Sequence, residues 1–154
     1  MNLALIIAGM AHLEARVSVQ APAERVWTAV HEDLEAAPRW TGYLKQAVLL
    51  DGDRPGPGHR VRYDLDLPGG FTLTLRPTVW DRPHRCEGEF VDSPLEGTWS
   101  YTYTESGGAT DVVYVMDYRM RGVLRFAGGL LEGRYEDGVR EGMRLLKQYV
   151  EEQG

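Results

Sequence analysis

The chain has 154 residues, 43% of them hydrophobic, with one cysteine and a formal net charge of −6. That is the size of one domain, able to bury a core without disulfides or a metal. The lone Cys86 excludes an internal disulfide or a multi-cysteine zinc site, and the acidic balance, with Lys and Arg interspersed along the chain, excludes the basic stripe that nucleic acid needs.

Residues 1–10 read as a flexible tail or an over-called start, and 11–154 as a single domain. The apolar run Leu3–Ala8 is far shorter than the roughly 20 residues of a bilayer span and lacks the basic start of a signal peptide, so no stable membrane insertion is expected. A reducing, cytoplasmic address fits the single thiol. From His12 to Gln20 the side chains alternate, with Leu13, Ala15, Val17 and Val19 apolar, which predicts a half-buried strand. Pro22 and Glu24 suit the first turn of a helix running to about Asp33, with Val26, Trp27 and Val30 on its apolar face. A second short helical piece is expected over Leu34–Ala37, stopped by Pro38.

After Trp40 the chain reads as hairpins, punctuated at Gly52–Gly58, Pro68–Gly70, Asp92–Pro94 and Ser106–Gly108. Val61, Tyr63, Leu65 and Leu67 share one face, as do Phe71, Leu73 and Leu75. The same parity joins Cys86, Gly88 and Phe90, then Gly97, Trp99, Tyr101 and Tyr103, then Val112, Tyr114, Met116, Tyr118 and Met120. Pro77 would delete a ladder hydrogen bond, which predicts a bulge there. Over the last 30 or so residues Leu124, Leu131, Tyr135, Val139, Leu146 and Tyr149 recur at helical spacing. A helix of about 25 residues is roughly 37 Å long and can cover a sheet of ten-residue strands. The expected fold is α+β: a curved antiparallel sheet around one long C-terminal helix, with two short helices after the first strand.

Ala21-Pro22-Ala23-Glu24-Arg25-Val26-Trp27, followed by Pro38-Arg39-Trp40, resembles the N-terminal signature of the START-like (SRPBCC) superfamily of polyketide cyclases/dehydrases and lipid-transport proteins. The resemblance covers about Ala11 to the C-terminus. It implies the helix-grip fold, in which a seven-stranded sheet wraps the final helix around a hydrophobic cavity. The superfamily is known for lipid and hormone binders, aromatic-polyketide cyclases, ring-hydroxylase subunits and regulatory proteins. None of the matching residues is catalytic in the family, so no catalytic role is carried over.

The residues themselves show little chemistry. His12, His31, His59 and His84 have no metal-ligand spacing, and no nucleophile elbow, GxGxxG or P-loop occurs, so neither metal nor cofactor is expected. His59 shares the inward parity but begins its strand, which favours a solvated rim position. Cys86 reads as a packed core thiol. Asp64, Asp66 and Asp117 fall on the polar parity. The inward tyrosines carry more information, because a core that only packs uses Leu, Ile and Phe. Their hydroxyls either converge on an apolar pocket or reach the sheet rim and meet water.

The expected ligand-binding set is Tyr63, Leu73, Trp99, Tyr101, Tyr114, Met116 and Tyr118 on the sheet, with Leu131, Tyr135 and Gly138 on the helix. The ligand would be a hydrophobic small molecule such as a lipid, quinone or polyketide, bound or transferred without catalysis. Two other readings stay open. One is a cyclase or dehydratase in which a tyrosine or His59 orients a carbonyl; the other is a protein-interaction or stress-response module. The oligomeric state is open too, a homodimer included. Gly128, Gly129, Gly133, Gly138 and Gly142 weaken the final helix by about 1 kcal/mol each relative to alanine. Gly128, Gly138 and Gly142 fall on its apolar stripe, which predicts unfilled space beside Gly138. Starting the chain at Met10 should leave its thermal midpoint unchanged in calorimetry; a drop of several degrees would show that the preceding residues pack.

Overall fold

The computed structural model describes residues 10–121 and 128–153, with side chains of the last helix described from Gly133 onward. Residues 1–9 of the expected tail and Leu124 lie outside the described residues, as does the side chain of Leu131. Seven strands form one antiparallel sheet: β1 (Ala11–Val19), β2 (Leu44–Leu49), β3 (Val61–Leu65), β4 (Phe71–Asp81), β5 (Arg85–Val91), β6 (Leu95–Ser106) and β7 (Ala109–Met120). Their order is β1-β7-β6-β5-β4-β3-β2. Each hairpin therefore pairs with the next, and only β1 must cross to reach β7. The alternation read in β1 and β7 is the observed one: Leu13, Ala15 and Val19 are buried, and so are Val112, Tyr114, Met116, Tyr118 and Met120. On the other face, His12 Nδ1 lies 2.6 Å from Asp117 across the pair.

The turn after β1 starts α1 (Ala23–Trp27). Pro22 precedes it in an extended conformation, and Ala23 donates its N–H to the Glu105 carboxylate at 2.7 Å, so a strand-end acid satisfies one of the orphan donors of the helix start. The helix then widens into a π-helical turn over Thr28–Glu32, where Asp33 N–H reaches back five residues to Thr28 O at 2.8 Å. That wider turn sets His31 against Trp27, with ring centroids 4.5 Å apart. From outside, Arg82 at the β4–β5 turn clamps the segment, donating to Glu24 (3.0 Å), Thr28 (3.2 Å) and Glu32 (3.1 Å).

The second helix, α2, is Ala37–Trp40 rather than Leu34–Ala37. Pro38 begins it instead of stopping it, because a first-turn residue needs no N–H partner. The bulge expected at Pro77 is present: the β4–β5 register passes from Pro77 opposite Gly88 to Val79 opposite Glu87. The last helix, α3, runs 25 residues from Gly128 to Glu152 and buries Met143, Leu146 and Val150. Its C-terminal half is fastened to β1 and α1: Lys147 donates to Ser18 O at 2.9 Å, Gln20 N–H to Glu151 at 2.9 Å, and Arg25 to Val150 O at 2.6 Å. Among the described residues no helix is long and apolar enough to cross a membrane.

Gly88 of β5 lies opposite Trp99 of β6 in the register. A Cβ at Gly88 would run into both the Trp99 indole and the Arg76 carbonyl. The glycine thus lets a large ring lie flat over the middle of the bent sheet. Gly88→Ala should cost about 1 to 3 kcal/mol in chemical denaturation, because neither backbone nor indole can yield cheaply; an unchanged midpoint would show that the indole has room to move.

Candidate functional site

The concave face of the sheet and the inner side of α3 enclose two cavities of about 70 Å³ each. The upper one is roofed by Val30, His31 and Leu34, with Pro55 and His59 of the β2–β3 loop at its edge. The lower one lies beneath Trp40, Thr41 and Tyr43 and is backed by Val139, Gly142 and Met143 of α3. Both share a wall made by Tyr63, Leu73, Tyr101, Tyr114 and Tyr135. These residues come from β3, β4, β6, β7 and α3, so the wall exists only once the sheet has wrapped the helix.

Of the sequence-derived set, those five border both cavities, Trp99 borders the upper one and Gly138 the lower. Met116 and Tyr118 border neither. Met116 is fully enclosed, in register between Leu13 and Trp99, and Tyr118 hydrogen-bonds Glu136 of α3 at 3.2 Å. Inward parity identifies a buried residue; the bend of the sheet decides which buried residues meet open space. His59 stands at the cavity edge with Nδ1 2.8 Å from Arg54 O, so its loop, rather than solvent alone, holds the ring.

Although Gly138 borders the lower cavity, the place its Cβ would take is not unfilled space. The Tyr43 ring occupies the place where its Cβ would be, and a Cβ on Gly142 would touch Trp40 O at 3.4 Å. These two helix glycines admit the Trp40–Tyr43 segment, which crosses α3 closely. Among the described residues nothing stands near Gly133, and its place in the helix has no packing explanation there. Gly138→Leu should therefore overpack and cost about 1 to 3 kcal/mol. Adding Tyr43→Ala should return part of that loss in a double-mutant cycle, whereas strict additivity would show that the two sites do not touch.

The wall is a cluster of phenols. Tyr101 packs on Tyr114 with centroids 4.5 Å apart, and Tyr135 lies 6.1 Å from Tyr118. Enclosure pushes the Tyr63 hydroxyl up to about 12 and raises those of Tyr101, Tyr114 and Tyr135 as well, so all four are neutral phenols. Tyr103 and Tyr118 spend their hydroxyls on protein partners. The hydroxyls of Tyr63, Tyr101, Tyr114 and Tyr135 make no hydrogen bond among the described residues. Cys86 is buried and burial pushes its thiol up to about 12, which leaves it unreactive. Among the described residues no group of His, Cys, Asp and Glu could hold a metal ion.

Sequence reasoning passed over His31. Its ring contacts Trp27, Trp80, Tyr101 and Tyr103, and its Nε2 lies 2.7 Å from the Tyr103 hydroxyl. The available signal was its place four residues after Trp27 on the face of Val26, Trp27 and Val30. Burial pushes the imidazole down to about 3, so it is neutral in the fold. Between that value and the ordinary 6.5, the unfolded chain binds a proton that the folded chain does not. Stability therefore rises with pH through this window and levels off above it. Wild type should lose about 1.4 kcal/mol per pH unit relative to His31→Gln between pH 6 and pH 4, read by urea denaturation; parallel curves would show that His31 is charged in the fold.

The profile of the family described as polyketide cyclase/dehydrase and lipid transport matches residues 10–151, and the chain belongs to that family. No curated protein matches the sequence. Among solved structures, the Zhui aromatase/cyclase of Streptomyces sp. R1128 superposes with a TM-score of 0.77 at 21% identity, over 94% of this chain and 95% of that one. A START superfamily protein of Mycobacterium smegmatis gives 0.74 at 17% identity, over 93% and 99%. A protein of Thermus thermophilus gives 0.75 at 16% identity, over 94% and 99%. At these identities the likeness establishes the fold, a helix-grip arrangement of a curled seven-stranded sheet with a C-terminal helix.

Proposed function

We propose that this protein binds or carries an apolar small molecule, of quinone, polyketide or lipid type, between the sheet and α3 without transforming it. The observation that carries the reading is the shared wall of Tyr63, Leu73, Tyr101, Tyr114 and Tyr135 around two adjoining cavities. A purely structural core would be close-packed, with few voids larger than a water molecule. Tyr63, Leu73, Trp99, Tyr101, Tyr114 and Tyr135 are then the ligand contacts, with Gly138 at the lower end.

A cyclase or dehydratase is the second reading, supported by the four phenol hydroxyls without a hydrogen-bond partner among the described residues and by the aromatase/cyclase among the structures of the same fold. A neutral phenol can donate to a ketone and favour its enol, and His59 at the edge of the upper cavity borders the same space as the phenols. Native mass spectrometry of protein purified from its own cells should show a retained apolar ligand that is released unchanged on unfolding. Tyr101→Phe should alter its affinity less than about tenfold. Conversion of the ligand during incubation, lost in Tyr101→Phe with binding preserved, would establish the enzyme instead.

A further inference from the structure

The Tyr103 hydroxyl is buried and has one partner among the described residues, His31 Nε2 at 2.7 Å. A buried O–H needs an acceptor, and the imidazole lone pair is the one in reach. Tyr103 therefore donates, Nε2 accepts, and the ring proton of neutral His31 sits on Nδ1. His31 is 91% buried by its 9% exposure and lines the upper cavity, and Nδ1 has no protein partner among the described residues. Edge-on to it, with centroids 5.1 Å apart, stands Tyr101, whose hydroxyl is likewise unpartnered. The π-helical turn is what brings His31 to this place, and the Arg82 clamp holds that turn from outside.

The charge of the walls narrows the ligand further. No Lys, Arg, Asp or Glu borders either cavity among the described residues. Away from His59 at the edge of the upper cavity, a carboxylate or phosphate drawn into such a space would lose its hydration with no lysine or arginine to replace it. A neutral carbonyl oxygen needs only donors.

We propose that His31, with its tautomer set by Tyr103, donates Nδ1–H to a neutral carbonyl oxygen of the bound ligand beside the Tyr101 hydroxyl, so that the cavity selects ketones and quinones over fatty acids and other anions. Tyr103 is a positioning residue, since it acts through His31. This inference rests on the ligand-binding reading above and adds a recognition group and a ligand class to it.

The test uses three probes of one shape, 2-acetylnaphthalene, 2-ethylnaphthalene and 2-naphthoate, each displacing the neutral fluorophore N-phenyl-1-naphthylamine from the whole chain. The ketone should bind roughly tenfold tighter than the hydrocarbon, as one satisfied buried donor implies, and the carboxylate at least roughly a hundredfold weaker than the ketone. His31→Leu should abolish the preference for the ketone while keeping hydrocarbon affinity. His31→Asn, which returns an N–H near the place of Nδ1, should restore part of it. In ¹⁵N NMR of the wild type, His31 should carry its proton on Nδ1, and Tyr103→Phe should shift the population toward Nε2–H and weaken ketone discrimination. A wild-type proton on Nε2, a preference unchanged in both His31 variants, or tighter binding of the carboxylate would each overturn the inference and leave the ligand-binding reading standing. If none of the three probes displaces the fluorophore, both fall together.

Discussion

The architecture depends on a concave sheet that buries rigid aromatic rings where other cores bury aliphatic chains. A Tyr or Trp side chain removes 150–250 Å² from water, which makes six or seven of them enough to drive much of the collapse. Rings that meet edge to face fix one another's planes. Trp27 meets Trp80 at an interplanar angle of 89°, and His31 meets Tyr101 at 86°. Such contacts are attractive because a ring edge lies on a π face, and they hold the planes apart. Aromatic side chains therefore both drive the collapse and line the space that remains after it.

Where rings approach backbone, a side chain has to be absent. Gly88 makes room for Trp99 within the sheet, and Gly138 and Gly142 make room for Tyr43 and Trp40 against the helix. The polar atoms in this interior divide into two kinds. Tyr103 and His31 satisfy each other, and Thr110 donates to Ala21 O at 2.7 Å, fixing the turn from β1 into α1. The indole nitrogens of Trp27, Trp40 and Trp99 are enclosed without a hydrogen-bond partner among the described residues. A donor left unpaired in a buried place is a cost that the ring burial must outweigh, and here three indoles bear it.

Much of the fold was legible because period-two alternation is a direct record of which face is dry. It was unbroken in β1 and β6 and interrupted in β7 only by Val113 and Val115 on the outer face, and the bulge at Pro77 followed from a missing N–H. The START-like resemblance at Ala21–Trp27 and Pro38–Trp40 agreed with the helix-grip fold that the chain adopts. Four features were less legible, each for a geometric reason. Pro38 was ambiguous because a proline that ends one helix can begin the next. Gly138 lay on the inward stripe as computed, but helical angle says nothing about what stands opposite, and Tyr43 comes from a turn rather than from the sheet. Met116 and Tyr118 share parity with Tyr114, yet the curvature that separates lining from packing is a property of seven strands together. His31 was hidden by its short helix, whose π-helical turn has no mark in the sequence beyond the spacing from Trp27.

The ion pairs of this protein lie at its surface, joining neighbouring positions such as Arg16 with Glu14, Arg62 with Asp64 and Arg119 with Glu96, while the cavity walls are uncharged among the described residues. Ionic strength acts on these two regions differently. At 1 M salt the Debye length contracts to about 3 Å, and exposed pairs of this kind lose most of what little they contribute. Uncharged phenols and a neutral imidazole have no Coulombic attraction to screen, and an excluded salt such as sulfate strengthens apolar burial. The molecule thus has an exterior that responds to its electrolyte and an interior insulated from it, so concentrated sulfate would tighten the proposed binding of an apolar guest even as it weakens the exterior ion pairs.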